Sequence, residues 1–528
     1  MPKVLISDPL APEGLEILER ARGIEVINAP DLDPAELLEA IRDAEGLLIR
    51  SGTQVTAEVL EAAEKLKVIG RAGVGVDNVD VAAASKRGVV VVNAPGGNTI
   101  TTAEHAIALL VALARHVPQA TASMKAGKWE KKKFKGIELY NRTLGVMGLG
   151  NVGRIVADRA RGLGMRVIAF DPHISTEVAQ KHDVELLSFD ELLERSDAIT
   201  VHVPRSKETL GLLGPEAFGK MRPGVLIVNA ARGGIVDEQA LAEALESGKV
   251  AGAALDVFAE EPPPADHPLL GMDNVICTPH LGASTGQAQL NVSITAAEQV
   301  RDYILEGAVR NAVNIPSISP ELLEQIRPYL VLGEKLGRFQ GQLCPGAIEE
   351  IEIEYAGEVA DLRVAPITVA VLKGMLESVS DRVNMVNAPI IAQEHGIKVI
   401  ESKSSRAIDF ASTVTTQVRG CVERLIAGAI FHGNQPRIVR VDDFMLEAIP
   451  EGPTILLQNR DQPGVVGHVG NCLGEAGINI SRMQLALAPE RAEAAMLVNV
   501  DQMPDDDVME KLRELPHMIA AQLVDLGI

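Results

Sequence analysis

The sequence predicts an α/β protein of two parallel-sheet units, Rossmann-like or flavodoxin-like in plan, followed by an α+β segment and a small ferredoxin-like βαββαβ unit. Three observations carry that expectation. From residue 3 to about residue 280, short apolar runs alternate with amphipathic helical stretches, and such alternation produces a parallel sheet with helices on both faces. The chain is 46% hydrophobic but only 3% aromatic, with Trp129 as its single tryptophan, so its cores are built from Ala, Val, Leu and Ile, which suits strands buried on both faces. Its 528 residues exceed what one core serves. Proline-rich breaks around Pro316 and Pro320 and at Pro450-Glu451-Gly452-Pro453 divide it further.

In chain order, residues 3–7, 24–28, 46–50, 68–71 and 89–93 read as strands. Thr101-Thr102-Ala103-Glu104 has the capping-box pattern and opens an apolar helix to about Val117, where Pro118 stops it. This helix is expected to bridge into a second sheet, with strands at 165–170, 198–203, 225–230, 251–257 and 275–278. A helical pattern over 285–306 then carries the chain back to the first unit. The expected division is 1–98 with 287–316, then 99–286, 317–450 and 451–528. In the last unit a strand at 454–458, a helix at 465–475, strands at 478–487 and 494–500, a helix at 504–515 and a strand at 519–524 give the βαββαβ order.

A formal charge of -22 argues against nucleic acid or an anionic membrane as the main partner. Cys277, Cys344, Cys421 and Cys472 are scattered, without C-x-x-C spacing or companion histidines, which suggests neither a disulfide framework nor a metal site and fits a reducing cytoplasm. The first residues read as a strand rather than a signal peptide, and the longest helical apolar stretch, 106–114, is too short to span a bilayer.

One apolar run ends in Gly148-Leu149-Gly150-Asn151-Val152-Gly153 and opens a helical pattern, and Asp171 closes the next run. Gly148 permits the tight turn, Gly150 lets backbone approach a pyrophosphate, Gly153 allows close helix packing, and Asp171 suits a ribose diol. With no arginine directly after Asp171, NAD is favoured over NADP. Arg232, Glu261 and His280 each follow a strand of the same sheet, where ligands of open α/β sheets bind. Singly they are an ordinary surface arginine, a solvated acid and a structural histidine; their common location is the signal. Oxidising an alcohol by hydride transfer needs a base, assigned to His280, with Glu261 orienting its imidazole. Arg232 would bind a carboxylate and polarise the reacting C–O group. Together they specify a 2-hydroxy acid.

The stretches Arg71-Ala72-Gly73-Val74-Gly75-Val76-Asp77-Asn78-Val79-Asp80, 229–234, Asp256-Val257-Phe258 with Glu261-Pro262, and Pro279-His280-Leu281-Gly282-Ala283 resemble signatures of the D-isomer-specific 2-hydroxyacid dehydrogenases. The chain is most similar to the long forms of that family, with an intervening domain and a C-terminal ACT domain. The resemblance places the family's catalytic arginine, glutamate and histidine on Arg232, Glu261 and His280. It implies cofactor contacts from Gly148, Gly150, Asn151, Val152, Gly153, Asp171, Ala230, Asp256 (facing the nicotinamide amide), His280, Leu281, Gly282 and Ala283. Substrate contacts are implied at Arg50, Ser51, Val74, Gly75 and Arg232, with Arg50 and Arg71 also available to a phosphate.

The family likeness makes 1–98 with 287–316 the substrate-binding domain and 99–286 the NAD-binding domain. It implies NAD-dependent oxidation of D-3-phosphoglycerate on the way to serine, in a cytoplasmic homo-oligomer, dimer or tetramer. It also implies L-serine as effector, with Asn459, Asp461 and Asn479 as its contacts. The basic stretch 128–135 around Trp129 either attracts a phosphorylated acid, packs at a subunit contact or is a solvated loop. Two rivals stay open: a dehydrogenase for another small acid (glycerate, lactate or 2-hydroxyglutarate), and a binding protein, either an NAD-sensing corepressor or an amino-acid sensor with vestigial catalysis.

Overall fold

The computed structural model describes residues 1–316, 320–344, 346–379, 382–405, 410–420, 422–432, 434–488 and 492–527. Cys421, included in the cysteine reading above, lies outside the described residues. The first sheet has five parallel strands, β1 (Lys3–Ile6), β2 (Glu25–Asn28), β3 (Gly46–Ile49), β4 (Val68–Arg71) and β5 (Val90–Asn93), in the order β2-β1-β3-β4-β5. Helices cover both faces, which is why a strand such as Gly46–Ile49 is buried at every position.

The second sheet holds β6 (Thr143–Met147), β7 (Arg166–Phe170), β8 (Glu185–Leu186), β9 (Ala198–Val201), β10 (Val225–Asn229), β11 (Val250–Leu255) and β12 (Val275–Cys277), all parallel. Their order is β12-β11-β10-β9-β6-β7-β8. The direction of winding reverses at β6, and the glycine turn follows that strand.

The bridging helix differs from the expectation. It runs Thr99–Ala114 from Asn98, and Thr101 does not cap it. The hydroxyls of Thr101 and Thr102 bond instead to Thr285 Oγ1 and the Gly282 carbonyl, at 3.2 and 2.8 Å. The break falls at His116, which has φ 52°, and Pro118 sits in the first turn of a new helix, Val117–Lys125. Proline is well placed there because a first-turn N–H has no intrahelical acceptor. Helix Gly286–Glu306, capped by Thr285 and ended by Gly307 at φ 69°, packs Val292, Ala296 and Val300 against Val4, Ile6 and Leu48 of the first sheet. Among the described residues no single helix is long and apolar enough to cross a membrane.

The third sheet is mixed: β13 (Ile348–Gly357), β14 (Lys398–Ser404), β15 (Ser412–Gly420), β16 (Arg424–Phe431), β17 (Gln435–Val441) and β18 (Phe444–Ala448), ordered β14-β13-β15-β16-β17-β18. Helices Pro320–Leu343 and Ala365–Leu376 cross at the backbone: a Cβ on Gly337 would stand 2.0 Å from the Val371 carbonyl oxygen, and one on Gly374 2.1 Å from that of Glu334.

The fourth sheet, β19 (Pro453–Arg460), β20 (Ile480–Ala488), β21 (Glu493–Val500) and β22 (Met518–Asp525), is antiparallel in the order β20-β21-β19-β22. With helices Val465–Glu475 and Asp506–Arg513 it realises the expected βαββαβ plan. Its Leu456, Leu497, Val524 and Leu526 join Leu332, Leu336 and Phe339 in one apolar core. The buried Lys335 ammonium donates to the Leu526 carbonyl at 2.6 Å, and Gln342 and Asp525 exchange two hydrogen bonds of 2.8 Å.

Gly337→Ala is expected to force the two crossing helices apart and destabilise the chain by about 1–3 kcal/mol, seen as a lower denaturant midpoint. An unchanged midpoint would show that the crossing yields without cost.

Candidate active site

The glycine turn has the geometry its sequence implies. Gly148 takes φ +88°, and a Cβ there would lie 2.7 Å from the His202 carbonyl oxygen. Gly150 caps helix Asn151–Gly162 with nothing within 4 Å of its Cβ position, leaving open space in front of the helix N-terminus. Gly153 stands where a Cβ would meet the Gly148 carbonyl oxygen at 2.0 Å. At the end of β7, Asp171 accepts from the N–H groups of Leu149 and His173 at 2.8 and 2.9 Å, which ties the ribose-directed acid to the turn. Open backbone, helix N-terminus and fixed carboxylate fit a dinucleotide.

Loops after β10, β11 and β12 bring the polar candidates to adjacent strand ends. His280 Nδ1 lies 2.7 Å from Glu261 Oε2, and Glu261 Oε1 accepts from Phe258 N at 3.0 Å. Burial by itself raises the Glu261 carboxyl; the bonds from His280 and Phe258 outweigh it and hold it below its ordinary range. The Arg232 loop touches the Glu261 loop, since a Cβ on Gly233 would lie 1.7 Å from the Phe258 carbonyl oxygen. Arg232 opens, with Val74, Gly75, Val152 and Ala230, onto a cavity of about 400 Å³ between the two parallel sheets. His280 and Glu261 line a second one with Pro262, Leu270 and Cys277.

Asp256, expected to face a nicotinamide amide, is 1% exposed and engaged within the protein. Oδ1 accepts from Thr278 Oγ1 (2.6 Å) and Leu281 N (2.7 Å) and faces His105 Nε2 (3.1 Å), while Oδ2 accepts from Gly282 N (2.8 Å). Its backbone carbonyl takes the His280 N–H at 2.9 Å. Burial raises this carboxyl too, and the donors His105, Thr278 and Leu281 together bring it below its ordinary value. The carboxylate therefore holds the 280–282 turn, in which His280 adopts φ 54°. Within that turn Gly282 is buried, Ala283 half-buried and Leu281 exposed.

On the first sheet, Arg50 is half-buried and Ser51 exposed. A Cβ on Gly75 would stand 1.9 Å from Arg232 Nη2, so only glycine leaves room for the guanidinium. Burial, reinforced by Arg232 and Arg50, pushes the Arg71 guanidinium down to about 10, and its buried Nε has no hydrogen-bond partner among the described residues. Sequence reasoning missed Asp77, His105, Thr278 and His202. The first three become visible only through partners more than twenty residues away. His202, pushed down to about 4 by burial, bonds Thr200 Oγ1 at 2.9 Å and lines the Arg232 cavity; its place at a strand end was its only signal. In the C-terminal unit Asp461 and Asn479 are exposed, and Asn459, near the end of β19, is 2% exposed, with Nδ2 donating to the Arg460 carbonyl and its buried Oδ1 without a hydrogen-bond partner among the described residues.

Comparison with known proteins bears on this arrangement. Residues 107–282 match the family described as D-isomer specific 2-hydroxyacid dehydrogenase, NAD binding domain; 325–442 match the D-3-phosphoglycerate dehydrogenase intervening domain; 454–517 match the ACT domain. The chain is 47% identical to D-3-phosphoglycerate dehydrogenase of Archaeoglobus fulgidus, over 99% of this chain and 100% of that one. It is 45% identical to the Methanocaldococcus jannaschii protein of the same name, over 100% of both. The NAD+-bound 3-phosphoglycerate dehydrogenase of Entamoeba histolytica superposes with TM-score 0.51 at 32% identity, covering 59% of this chain and 98% of that chain. Fold and glycine site define an NAD-dependent oxidoreductase of the α/β class. Within that class, the chain belongs to the D-3-phosphoglycerate dehydrogenase family of D-isomer-specific 2-hydroxyacid dehydrogenases.

Because Asp256 and Glu261 are both held below their ordinary values, their stabilisation is complete only above about pH 5, where both carboxyls are ionised in the unfolded chain as well, and is lost as pH falls through the ordinary and then the lowered folded values. Asp256→Asn is expected to lose about 2–4 kcal/mol at pH 7 and to show a shallower acid decline. Parallel acid titrations of the two proteins, followed by circular dichroism, check this.

Proposed function

We propose that this chain oxidises D-3-phosphoglycerate to 3-phosphohydroxypyruvate with NAD+, a step toward L-serine. The observation that carries the reading is the 2.7 Å pair of His280 and Glu261, on loops adjoining the one that presents Arg232, beside a dinucleotide turn. Bound NAD+ supplies the hydride acceptor. His280 is the acid/base: with Nδ1 turned to Glu261, Nε2 is left to take the hydroxyl proton. Glu261 fixes the orientation and tautomer of the ring. Arg232 binds the substrate carboxylate against the Val74–Gly75 backbone. Asp171 selects the unphosphorylated ribose. Residues 99–286 are the NAD-binding domain, and 1–98 with 287–316 the substrate-binding domain.

Support for a phosphorylated substrate comes from Arg71, whose buried Nε has no partner among the described residues, and from Arg50 close by. The C-terminal ACT domain, 451–528, is the regulatory unit, with L-serine as effector at Asn459, Asp461 and Asn479, and 317–450 is the intervening unit that joins it to the rest. The assembly is a homo-oligomer in the cytoplasm; Trp129, 78% exposed, and Tyr140, 66% exposed, support a subunit contact on the NAD-binding unit.

NADH production is to be followed with D-3-phosphoglycerate, glycerate, lactate and 2-hydroxyglutarate, each with and without L-serine. Preference for the phosphorylated acid, and inhibition by serine, are expected; equal rates on the unphosphorylated acids would displace the substrate assignment. His280→Ala is expected to lower kcat by at least about 100-fold while NADH still binds with near-native affinity by fluorescence titration. Asp171→Ser is expected to narrow the preference for NAD over NADP.

A further inference from the structure

Arg232 and Asp77 come from different sheets, the loop after β10 and the loop after β4, and meet across the cleft with Nε 2.9 Å from Asp77 Oδ2. Nη1 donates to the Ala231 carbonyl at 2.7 Å. No hydrogen bond engages Nη2 among the described residues, and it lies over Gly75. Two of the three guanidinium nitrogens are thus anchored, and the planar group is fixed in orientation with its remaining edge toward the Val74–Gly75 backbone. Asn229, 2% exposed, stiffens the loop further by donating to the Arg232 carbonyl at 2.9 Å and accepting from Ala231 N at 3.1 Å.

As a strut between units this pair is poorly made. Asp77 is 57% exposed and Arg232 28%, and ion pairs so open to water contribute little to stability. Its value lies in direction. Arg71 stands close enough to Arg232 for the two cations to repel, and Asp77 opposes that repulsion. A neutral residue at 77 would leave the guanidinium free to swing away from Arg71.

We propose that Asp77 is the positioning residue for Arg232, holding its Nε side so that the Nη side is presented to the carboxylate of the hydroxy acid. The proposal rests on the reading of Arg232 as the carboxylate-binding group. Asp77 touches neither substrate nor cofactor in this scheme, and its removal acts on substrate binding through the arginine alone. Fixing a fork before the ligand arrives lowers the ordering cost of binding, so the effect falls on KM for the acid, and NAD, which binds on the glycine turn, is unaffected.

Steady-state kinetics of the full-length Asp77→Ala, Asp77→Glu and Arg232→Ala variants, with thermal midpoints, test this. Asp77→Ala is expected to raise KM for D-3-phosphoglycerate about 10-fold or more, with kcat and KM for NAD within about 3-fold and an unchanged midpoint. Asp77→Glu, which restores the carboxylate, is expected to recover part of the loss. A KM for the acid that is unchanged or lower in Asp77→Ala, or equal rises in both KM values, would overturn the proposal. If Arg232→Ala leaves kcat and KM unaltered, the reading of Arg232 itself fails; if Arg232→Ala collapses activity while Asp77→Ala is silent, only the role of Asp77 falls.

Discussion

One buried carboxylate organises the candidate active site. Asp256, at the end of β11, gathers Thr278 Oγ1 and the N–H groups of Leu281 and Gly282, and its own carbonyl receives the N–H of His280. An ionised group 1% exposed is tolerable only when its lone pairs are filled. Here the donors that fill them are the backbone of the very turn that carries the imidazole. That turn places His280 at φ 54°, a conformation that branched or bulky residues rarely adopt, so the surroundings must hold it. His105 extends the constraint into helix Thr99–Ala114, whose Thr102 also bonds the Gly282 carbonyl. The turn, the bridging helix and the sheet are therefore one hydrogen-bonded unit.

Close approach is the second constraint, and glycine serves it. Gly153 and Gly233 let backbones touch where a Cβ would collide with a carbonyl oxygen, and Gly75 makes room for the Arg232 side chain. The same device recurs far from the cleft, where Gly337 and Gly374 bring two helices together at the backbone. Those helices share a core with the C-terminal sheet through Leu456, Val524 and Leu526. Strand β22 is thus joined to helix Pro320–Leu343 both by packed side chains and by the bonds of Lys335 and Gln342.

Much of the fold was legible because parallel strands buried on both faces leave unbroken apolar runs; β1, β3, β4 and β5 sit within a residue or two of where those runs lie. The two-residue β8 escaped notice, being too short to show a period. The capping-box reading at Thr101 failed because the hydroxyls found partners 180 or more residues away, which no local pattern records. Pro118 was read as a stop when it begins a helix, since proline suits both positions.

The sequence by itself determined most of the strand order of the two parallel-sheet units and the βαββαβ order of the last unit, though no element of 317–450, together with the glycine turn with its acid and the presence of a guanidinium, a carboxylate and an imidazole at three strand ends, because each depends on local pattern and on the periodicity of apolar residues. Only the tertiary structure decided which groups pair: Glu261 with His280, Asp77 with Arg232, and Asp256 with His105 and the 280–282 turn. The physical reason is that a hydrogen bond joins atoms within about 3 Å whatever their separation along the chain, and that proximity is set by how the strands are ordered in the sheets and by how the two parallel sheets face each other.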